Sequence, residues 1–157
     1  MVADADVWTE GIPSAIRALV CGAAEWTIPH RRVLRLSKAS TEQLLATGQP
    51  GDELARRAYD GRLGGGIVIA RRETLLEVPM DGRFIGWGEE DTSWGIALAT
   101  ICGHPWRGTE DLLHLWHPPQ ERMSPRRGSV EGWNLYRRYM DARGKPDEMR
   151  ELMKGAR

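Results

Sequence analysis

The alternation of apolar and polar residues predicts a chain of short strands and helices. Residues 2–8 alternate apolar and acidic side chains, which predicts a strand with two carboxylates at its end. After Pro13, apolar residues recur at helical spacing and predict a helix over residues 13–24. The same criteria predict further strands at 33–36 and 67–70, and further helices at 40–45, 52–59 and 73–78.

The second half of the chain contains the most regular helical pattern. An apolar stripe at i, i+3, i+4 and i+7 follows the acids at 89–91 and ends at Gly103, which predicts a helix with acids in its first turn. A strand at 112–116 and helices that begin after Ser129 and at Pro146 are also predicted. We therefore expect an α/β part over residues 1–117 and a helical C-terminal extension over 118–157.

The composition narrows the classes of function. The 22 Lys and Arg residues balance 22 Asp and Glu residues, which argues against nucleic acid or an anionic membrane as a partner. No apolar run approaches the roughly 18 to 20 residues of a membrane span, and no targeting signal is recognisable. Cys21 and Cys102 match no metal-ligand spacing, which favours reduced thiols and a cytoplasmic location. Seven tryptophans suit core packing, which we favour, or stacking on sugars.

Three polar clusters are candidates for chemistry: Asp4 with Asp6, the acids at 89–91, and His114 with His117. Asp4 and Asp6 share one face of an extended strand, where their oxygens suit Mg²⁺ or Mn²⁺ holding a diphosphate. The alternative is a capping acid beside a solvated one. The histidines converge on one ion if the chain turns there, and otherwise are ordinary core or surface residues. The acids at 89–91 are either functional or partners of a helix dipole.

Four motifs, in this order along the chain, resemble a known family of enzymes. They are Ala3-Asp4-Ala5-Asp6-Val7-Trp8, Gly64-Gly65-Gly66, Phe84-Ile85-Gly86-Trp87-Gly88-Glu89-Glu90-Asp91 and His114-Leu115-Trp116-His117. They are similar to motifs of GT-A glycosyltransferases, in particular the galactosyltransferase C-terminal domain of beta-1,4-galactosyltransferases and polypeptide N-acetylgalactosaminyltransferases. The stretch from Gly64 to His117 is the most specific part. The resemblance implies the C-terminal half of a GT-A α/β fold, a small mixed sheet flanked by helices with a helical C-terminal tail.

The resemblance implies a metal-dependent inverting glycosyltransferase of the hexosyltransferase class. Asp6, supported by Asp4, would bind Mn²⁺ or Mg²⁺, which neutralises the diphosphate of a departing UDP-sugar. One or both of His114 and His117 would complete the set of metal ligands. Asp91 would be the general base that takes a proton from the acceptor hydroxyl as this attacks the anomeric carbon.

The remaining matched residues are implied in substrate binding. Glu90, the second catalytic residue, would orient the acceptor or the donor sugar. Trp87 would stack on a sugar, and a tight hydrophobic turn explains this residue equally well. The glycines of the motifs would let the donor approach the backbone; they are Gly65, Gly66 and Gly88.

The implied partners are a UDP-sugar donor and a glycan or glycoprotein acceptor, with no nucleic acid and no membrane span. Because the Asp-x-Asp motif begins at residue 4, the resemblance also implies that a separate polypeptide, or a second copy of the chain, supplies the nucleotide-binding half. We expect it to dock on the exposed edge of the strand at 2–8. Glu89 replaces a small residue of the family, and Thr92 and Ser93 replace further acids, so galactose is not implied as the donor sugar.

Two other functions stay open at this point. A noncatalytic sugar-binding or structural module, derived from a truncated glycosyltransferase, would keep the same half-fold without turnover. A metal-dependent phosphatase or nuclease would use similar carboxylates, but the sequence lacks the additional acids expected of a two-metal site. The presence of all three polar clusters favours the glycosyltransferase.

Overall fold

The computed structural model describes residues 1–85, 88–119 and 128–156. The strands in these ranges are β1 (Val2–Ala3), β2 (Val7–Trp8), β3 (Trp26–Arg35), β4 (Tyr59–Asp60), β5 (Ile67–Ala70) and β6 (Trp106–His114). The helices are α1 (Ile12–Val20), α2 (Lys38–Thr47), α3 (Arg72–Glu77), α4 (Glu90–Ile101), α5 (Val130–Asp141) and α6 (Pro146–Met153), followed by a 3₁₀ turn at Lys154–Ala156. The predicted mixed α/β class is confirmed, with six strands and six α-helices in the described ranges.

The strands form one mixed sheet in the order β1-β5-β3-β6-β2, with β4 also pairing with β3. The central strands β3 and β6 are parallel and end together, since Arg35 pairs with His114. All other named strand pairs are antiparallel. Because β1 and β2 lie at opposite ends of this order, residues 4–6 connect the two edges of the sheet.

Helices cover both faces of the sheet because side chains alternate along its strands. In β5, Ile67 and Ile69 pack in a cluster with Ala15 and Leu19 of α1, whereas Val68 packs in a second cluster with residues of α4, α5 and α6. The run of apolar residues in β5 is therefore explained by burial on both of its faces.

Helices α5 and α6 belong to the core of the larger cluster. Tyr139 and Met149 are fully buried together with Trp26 of β3 and Trp94 of α4. The indole N–H of Trp94 donates to the carbonyl oxygen of Val78 at 2.8 Å. The division of the chain at residue 117 stays a prediction, and the two helices after it share their core with elements before it.

A buried polar network, which we call the Asp81 network, ties the loop before α4 to the C-terminal helices. Arg83 makes hydrogen bonds to both carboxylate oxygens of Asp81, the shortest at 2.6 Å, and also donates to the Leu152 carbonyl oxygen. The Tyr139 hydroxyl donates to Asp81 at 2.8 Å. Burial acts to raise the pKa of Asp81, but the bonds from Arg83 and Tyr139 outweigh it and lower that pKa.

Most predicted helices are confirmed because local signals mark their ends. Gly48 takes the left-handed conformation that ends α2, with φ of +73°. The Ser129 hydroxyl caps α5 by accepting the Gly132 N–H at 2.9 Å. The predicted N-cap of α2, Ser40, is wrong. The N-cap is Ser37, whose hydroxyl accepts the backbone N–H of Ser40. None of the helices in the described ranges combines the length and apolarity needed to cross a membrane.

Two predicted elements are wrong. Residues 52–59 contain no helix, because Glu53 and Ala55 use their backbone groups for hydrogen bonds to residues 35 and 37 at the end of β3 and the start of α2. Residues 2–8 do not form one strand but the separate strands β1 and β2. The continuous edge strand expected to dock a second polypeptide is therefore not present in residues 2–8.

The predicted strands at 33–36 and 112–116 are shorter than β3 and β6. Residues 26–30 of β3 are all buried, so they show no alternation, and they include Pro29 and His30, which interrupt the apolar pattern. In β6, the charged residues before Leu112 interrupt the apolar pattern, so the first half of the strand was not predicted. Their full lengths become visible in their parallel pairing with each other.

We predict that Tyr139→Phe destabilises the protein by about 1–3 kcal/mol, because it removes a hydrogen bond to a buried charged group. Urea denaturation monitored by circular dichroism measures the change. Tyr136→Phe is the matched control, since Tyr136 lies on the same helix, is half-buried and makes no hydrogen bond within the described residues. Equal stability of Tyr139→Phe and the parent would show that the Asp81 network does not stabilise the C-terminal helices.

Candidate metal and catalytic site

Asp6, His114 and His117 converge at the carboxyl end of β6, and we call them the Asp-His-His cluster. An Asp6 carboxylate oxygen lies 3.3 Å from Nε2 of His117 and 3.8 Å from Nδ1 of His114. The imidazole rings are stacked, with centroids 5.3 Å apart. One donor atom from each residue lies within 4.8 Å of the others, and no second group of this kind occurs in the described parts of the chain.

The pairing of β2 with β6 creates this cluster. Val7 lies opposite His114, so the residues just before Val7 lie beside those just after His114. The Leu115 N–H donates to the Asp6 carbonyl oxygen at 2.8 Å and continues the pairing beyond the strand. His117 lies past the end of β6, and Nε2 of its ring faces Asp6.

Both histidines have the second interaction that metal-binding histidines typically show. Nδ1 of His114 lies 2.8 Å from the Leu115 carbonyl oxygen, and Nδ1 of His117 lies 2.8 Å from that of Pro118. A carbonyl oxygen only accepts, so these bonds put the ring hydrogen on Nδ1 and leave the lone pair on Nε2. In His117 this Nε2 is the nitrogen that lies 3.3 Å from Asp6, whereas in His114 the nitrogen 3.8 Å from Asp6 is Nδ1. Two imidazoles with one carboxylate are a donor set typical of transition metals, and of the two expected ions Mn²⁺ fits it better than the oxygen-preferring Mg²⁺.

The electrostatic surroundings favour a neutral His114. Burial lowers the pKa of His114, and the nearby charge of Arg35 acts in the same direction, against the opposing effects of the Leu115 hydrogen bond and of Asp6. A neutral imidazole keeps the lone pair that a metal requires. The surroundings of His114 are thus compatible with a ligand role at neutral pH.

Asp4 lies outside the Asp-His-His cluster but close to it. Its backbone N–H donates to the Gly66 carbonyl oxygen at 2.9 Å. Partial desolvation raises the pKa of Asp4, as does the charge of Asp6, while His114 and Arg35 lower it. Of the Asp-x-Asp pair, Asp6 therefore supplies the potential ligand, and Asp4 adds negative charge beside it.

The glycine turn at residues 64–66 packs directly against the first turn of α4. A Cβ on Gly64, where φ is +80°, would lie 1.9 Å from the Asp91 carbonyl oxygen. A Cβ on Gly95 would lie 2.5 Å from the carbonyl carbon of Leu63. Because both facing positions lack a side chain, the two backbones touch, and a Cβ on Gly65 would be 3.8 Å from an Asp91 carboxylate oxygen.

Asp91 and Glu90 form a desolvated acidic pair beside this turn. Burial, the charge of Glu90 and the charge of Asp4 raise the pKa of Asp91 to about 7. One carboxylate oxygen of Glu90 is buried and has no hydrogen-bond partner within the described residues. A carboxylate with a pKa near neutrality is suited to general base chemistry, and a buried free acceptor is suited to a ligand hydroxyl.

The loop before α4 takes conformations that glycine favours. Gly88 has φ of +103° and lies against the backbone of Gly128 at the start of α5. Glu89 has φ of +70°, the one non-glycine residue with positive φ in the described ranges, although residues with a side chain are strained there. Trp87, predicted to stack on a sugar, and Gly86 lie outside the described residues.

Two functional candidates, His30 and Arg35, were missed by the sequence reasoning. The ring of His30 is fully buried beneath Gly61 and Gly66, and neither of its nitrogens has a hydrogen-bond partner in the described residues. Burial and the charge of Arg107 lower the pKa of His30 to about 4, so it is neutral at pH 7. Arg35 lies next to His114 in the sheet. Both residues lie on β3 and come near the site only through strand pairing, so no local sequence pattern identifies them as functional candidates.

The tryptophans divide between packing and exposure. Trp26 and Trp94 are buried in the core, as we favoured for this residue type. Trp8 and Trp116 are 51% and 40% exposed, and both belong to segments that form the Asp-His-His cluster. The backbone N–H of Trp116 donates to the Thr41 hydroxyl at 2.8 Å, which holds the segment between the two histidines against α2.

Comparisons with known proteins give no further guidance: no family model matches the chain, and neither the curated proteins nor the solved structures include a significant match. The geometry of the site is therefore the structural evidence on its chemistry.

We predict that Asp91→Asn raises the melting temperature at pH 8 and leaves it unchanged at pH 4. The folded chain binds a proton at Asp91 that the unfolded chain has released between about pH 4 and pH 7, so the carboxylate costs stability as pH rises through this range. The amide cannot ionise. We expect a rise of several degrees, at about 2–4 °C per kcal/mol for a chain of this size.

Glu131→Gln is the control for this measurement, because Glu131 also lies in the first turn of a helix but is exposed. It should not be stabilising at pH 8. Scanning calorimetry at both pH values distinguishes the variants. If Asp91→Asn is destabilising to the same extent at pH 4 and pH 8, the carboxylate makes a favourable native contact and its desolvation is not the dominant effect.

Proposed function

We propose that this chain carries the catalytic site of a metal-dependent inverting glycosyltransferase, which moves a sugar from a UDP-sugar to a hydroxyl group of a glycan or protein. The observation that carries the proposal is that Asp4 interacts electrostatically both with the Asp-His-His cluster and with Asp91, an acid with a pKa near 7. The order of the four motifs, which resembles the GT-A family, supports it. The architecture we propose is the C-terminal half of a GT-A fold.

Asp6, His114 and His117 are the residues that would hold the divalent ion, and their donor set favours Mn²⁺. When bound, the ion supplies positive charge that stabilises the diphosphate leaving group. Asp4 increases the local negative potential and so strengthens the attraction for a cation without contributing a ligand.

Asp91 is the proposed general base. Its carboxylate accepts the proton of the acceptor hydroxyl, the hydroxyl oxygen forms a bond to the anomeric carbon, and the bond from that carbon to the diphosphate breaks on the opposite side of the sugar. A pKa near 7 makes the group basic enough to accept this proton while much of it is ionised at neutral pH. The buried oxygen of Glu90 accepts a hydrogen bond from a sugar hydroxyl, which explains its lack of a partner in the chain.

The glycines of the motifs give the substrates access to this acid. Gly65 lies beside the Asp91 carboxylate, since a Cβ there would be 3.8 Å from a carboxylate oxygen, and the lack of a side chain leaves its backbone uncovered for a sugar. Gly66 and Gly88 have positive φ, and a larger residue at either position would be strained as well as bulky. Donor binding at Gly65, Gly66 and Gly88 is part of the proposal.

The proposal is tested by separating metal binding, nucleotide binding and transfer in three variants. Calorimetric titration with Mn²⁺, and with UDP in the presence of Mn²⁺, should give binding to the parent chain, because the ion holds the diphosphate even without the nucleotide-binding half, and the loss of both in Asp6→Ala. Asp91→Asn should bind Mn²⁺ and UDP like the parent but lose at least about 100-fold in transfer from UDP-sugars, since it cannot accept a proton. Asp141→Asn, at an exposed carboxylate at the end of α5, is the control.

Each result removes a specific part of the proposal. Transfer by Asp91→Asn at the parent rate would exclude Asp91 as the base. Mn²⁺ affinity that does not change in Asp6→Ala would exclude the Asp-His-His cluster as the metal site. Binding of UDP-sugars with Mn²⁺ but no transfer to any glycan acceptor would favour the noncatalytic sugar-binding module.

A further inference from the structure

A cationic side chain, Arg35, lies beside the Asp-His-His cluster at the end of the central strands. In the parallel pair of β3 and β6, Arg35 is in register with His114, and the Leu36 N–H donates to the His114 carbonyl oxygen at 2.9 Å. Paired residues of neighbouring strands present their side chains on the same face of a sheet. Arg35 and His114 therefore occupy the same face at the same edge.

Arg35 is held by a neutral group rather than by an acid. Its Nε donates to the Tyr59 hydroxyl at 3.1 Å, and the Arg56 guanidinium lies 4.4 Å from the centre of the Tyr59 ring. Neither arginine has a carboxylate within ion-pair distance in the described residues. Two positive groups thus surround one phenol, and the arrangement leaves most of their hydrogen-bond donors available for an anion.

Two other arginines of the chain do pair with a carboxylate. Arg32, on the same strand, makes two hydrogen bonds of 2.8 and 2.6 Å to the Asp111 carboxylate. Arg83 is paired in the same way with Asp81. Arg35 is half-buried and has no such partner, although its charge acts on Asp4.

The charge of Arg35 reaches the metal-binding residues. It lowers the pKa of His114, after the larger effect of burial, and it opposes the desolvation that raises the pKa of Asp4. A fixed positive charge next to a cation site weakens cation binding unless an anion lies between the two positive charges. A ligand with at least two negative charges is the chemistry that satisfies both groups.

We propose that Arg35 binds the diphosphate of the nucleotide donor, with Tyr59 as a positioning residue that holds its guanidinium and Arg56 as a second source of positive charge. This inference rests on the proposed function, because it assigns the leaving group of that reaction to a specific side chain. The planar guanidinium matches the oxygens of a phosphate, and its bond to Tyr59 through Nε leaves both terminal nitrogens available. The Tyr59 hydroxyl fixes the orientation of the guanidinium, and so of its two terminal nitrogens, before the ligand binds.

The test compares three ligands in the presence of Mn²⁺: UDP, inorganic pyrophosphate and uridine. Arg35→Gln should weaken the binding of UDP and of pyrophosphate about tenfold to a hundredfold and leave uridine binding unchanged, since uridine has no phosphate. Its affinity for Mn²⁺ alone should be unchanged or slightly higher. Arg35→Lys should recover part of the loss, because it restores the charge without the fork.

Two further variants separate positioning from folding. Tyr59→Phe keeps the aromatic ring and the Arg35 charge but frees the guanidinium, and we expect about a threefold loss of UDP affinity at an unchanged melting temperature. Arg31→Gln is the control, because Arg31 lies on the same strand, is exposed and has no ion pair in the described chain. It should bind all three ligands like the parent.

The outcomes distinguish this inference from the function on which it rests. One outcome is that the parent binds Mn²⁺ and UDP while Arg35→Gln binds UDP and pyrophosphate with the same affinities as the parent. In that case Arg35 is not the diphosphate site and the proposed function stands. An equal loss of uridine and UDP affinity in Arg35→Gln would assign Arg35 to the nucleoside and overturn the inference. If the parent chain binds neither Mn²⁺ nor UDP, the proposed function and the inference both fail.

Discussion

The backbone contact between the glycine turn and the first turn of α4 is the constraint on which the candidate site depends. Gly64 and Gly95 face each other's segments without side chains, and a Cβ on either would overlap the opposite backbone. This approach holds Asp91 against the turn and removes part of its contact with water. The raised pKa of Asp91 follows from that burial more than from any single neighbouring charge. A close-packed backbone contact is thus the physical origin of the basicity that the proposed reaction requires.

The site keeps together charges that repel each other in the absence of a ligand. Asp4, Glu90 and Asp91 are all acids, and the charges of Asp4 and Glu90 both act on Asp91. Arg35 lies near a site suited to a cation. These arrangements cost free energy, which the packing of α4 against α5 and α6 and the Asp81 network must offset. A cation near Asp6 and an anion near Arg35, as proposed, would each relieve part of that cost.

The elements that could be predicted are those whose ends are marked by local chemistry. Helices α2 and α5 have a glycine or serine that satisfies the backbone groups of a helix terminus, and α4 has acids in its first turn and an apolar stripe. The long strands were recognised only in part, since β3 is buried on both faces over residues 26–30 and shows no alternation. Residues 52–59 have a composition compatible with a helix, but their backbone groups make hydrogen bonds to the end of β3. A local sequence pattern contains no information about such long-range hydrogen bonds.

The same division applies to the site. Local sequence identified the acids and histidines as candidate metal ligands and bases, because carboxylate and imidazole groups are recognisable at any position in a chain. Strand pairing determined which of them meet: Asp6 joins His114 and His117, whereas Asp4 stays outside, because β2 pairs with β6 in one register. Arg35 reaches the cluster through the parallel pairing of β3 with β6. Residues far apart in sequence become neighbours only through such pairing, and burial, which changes their pKa values, exists only in the folded chain.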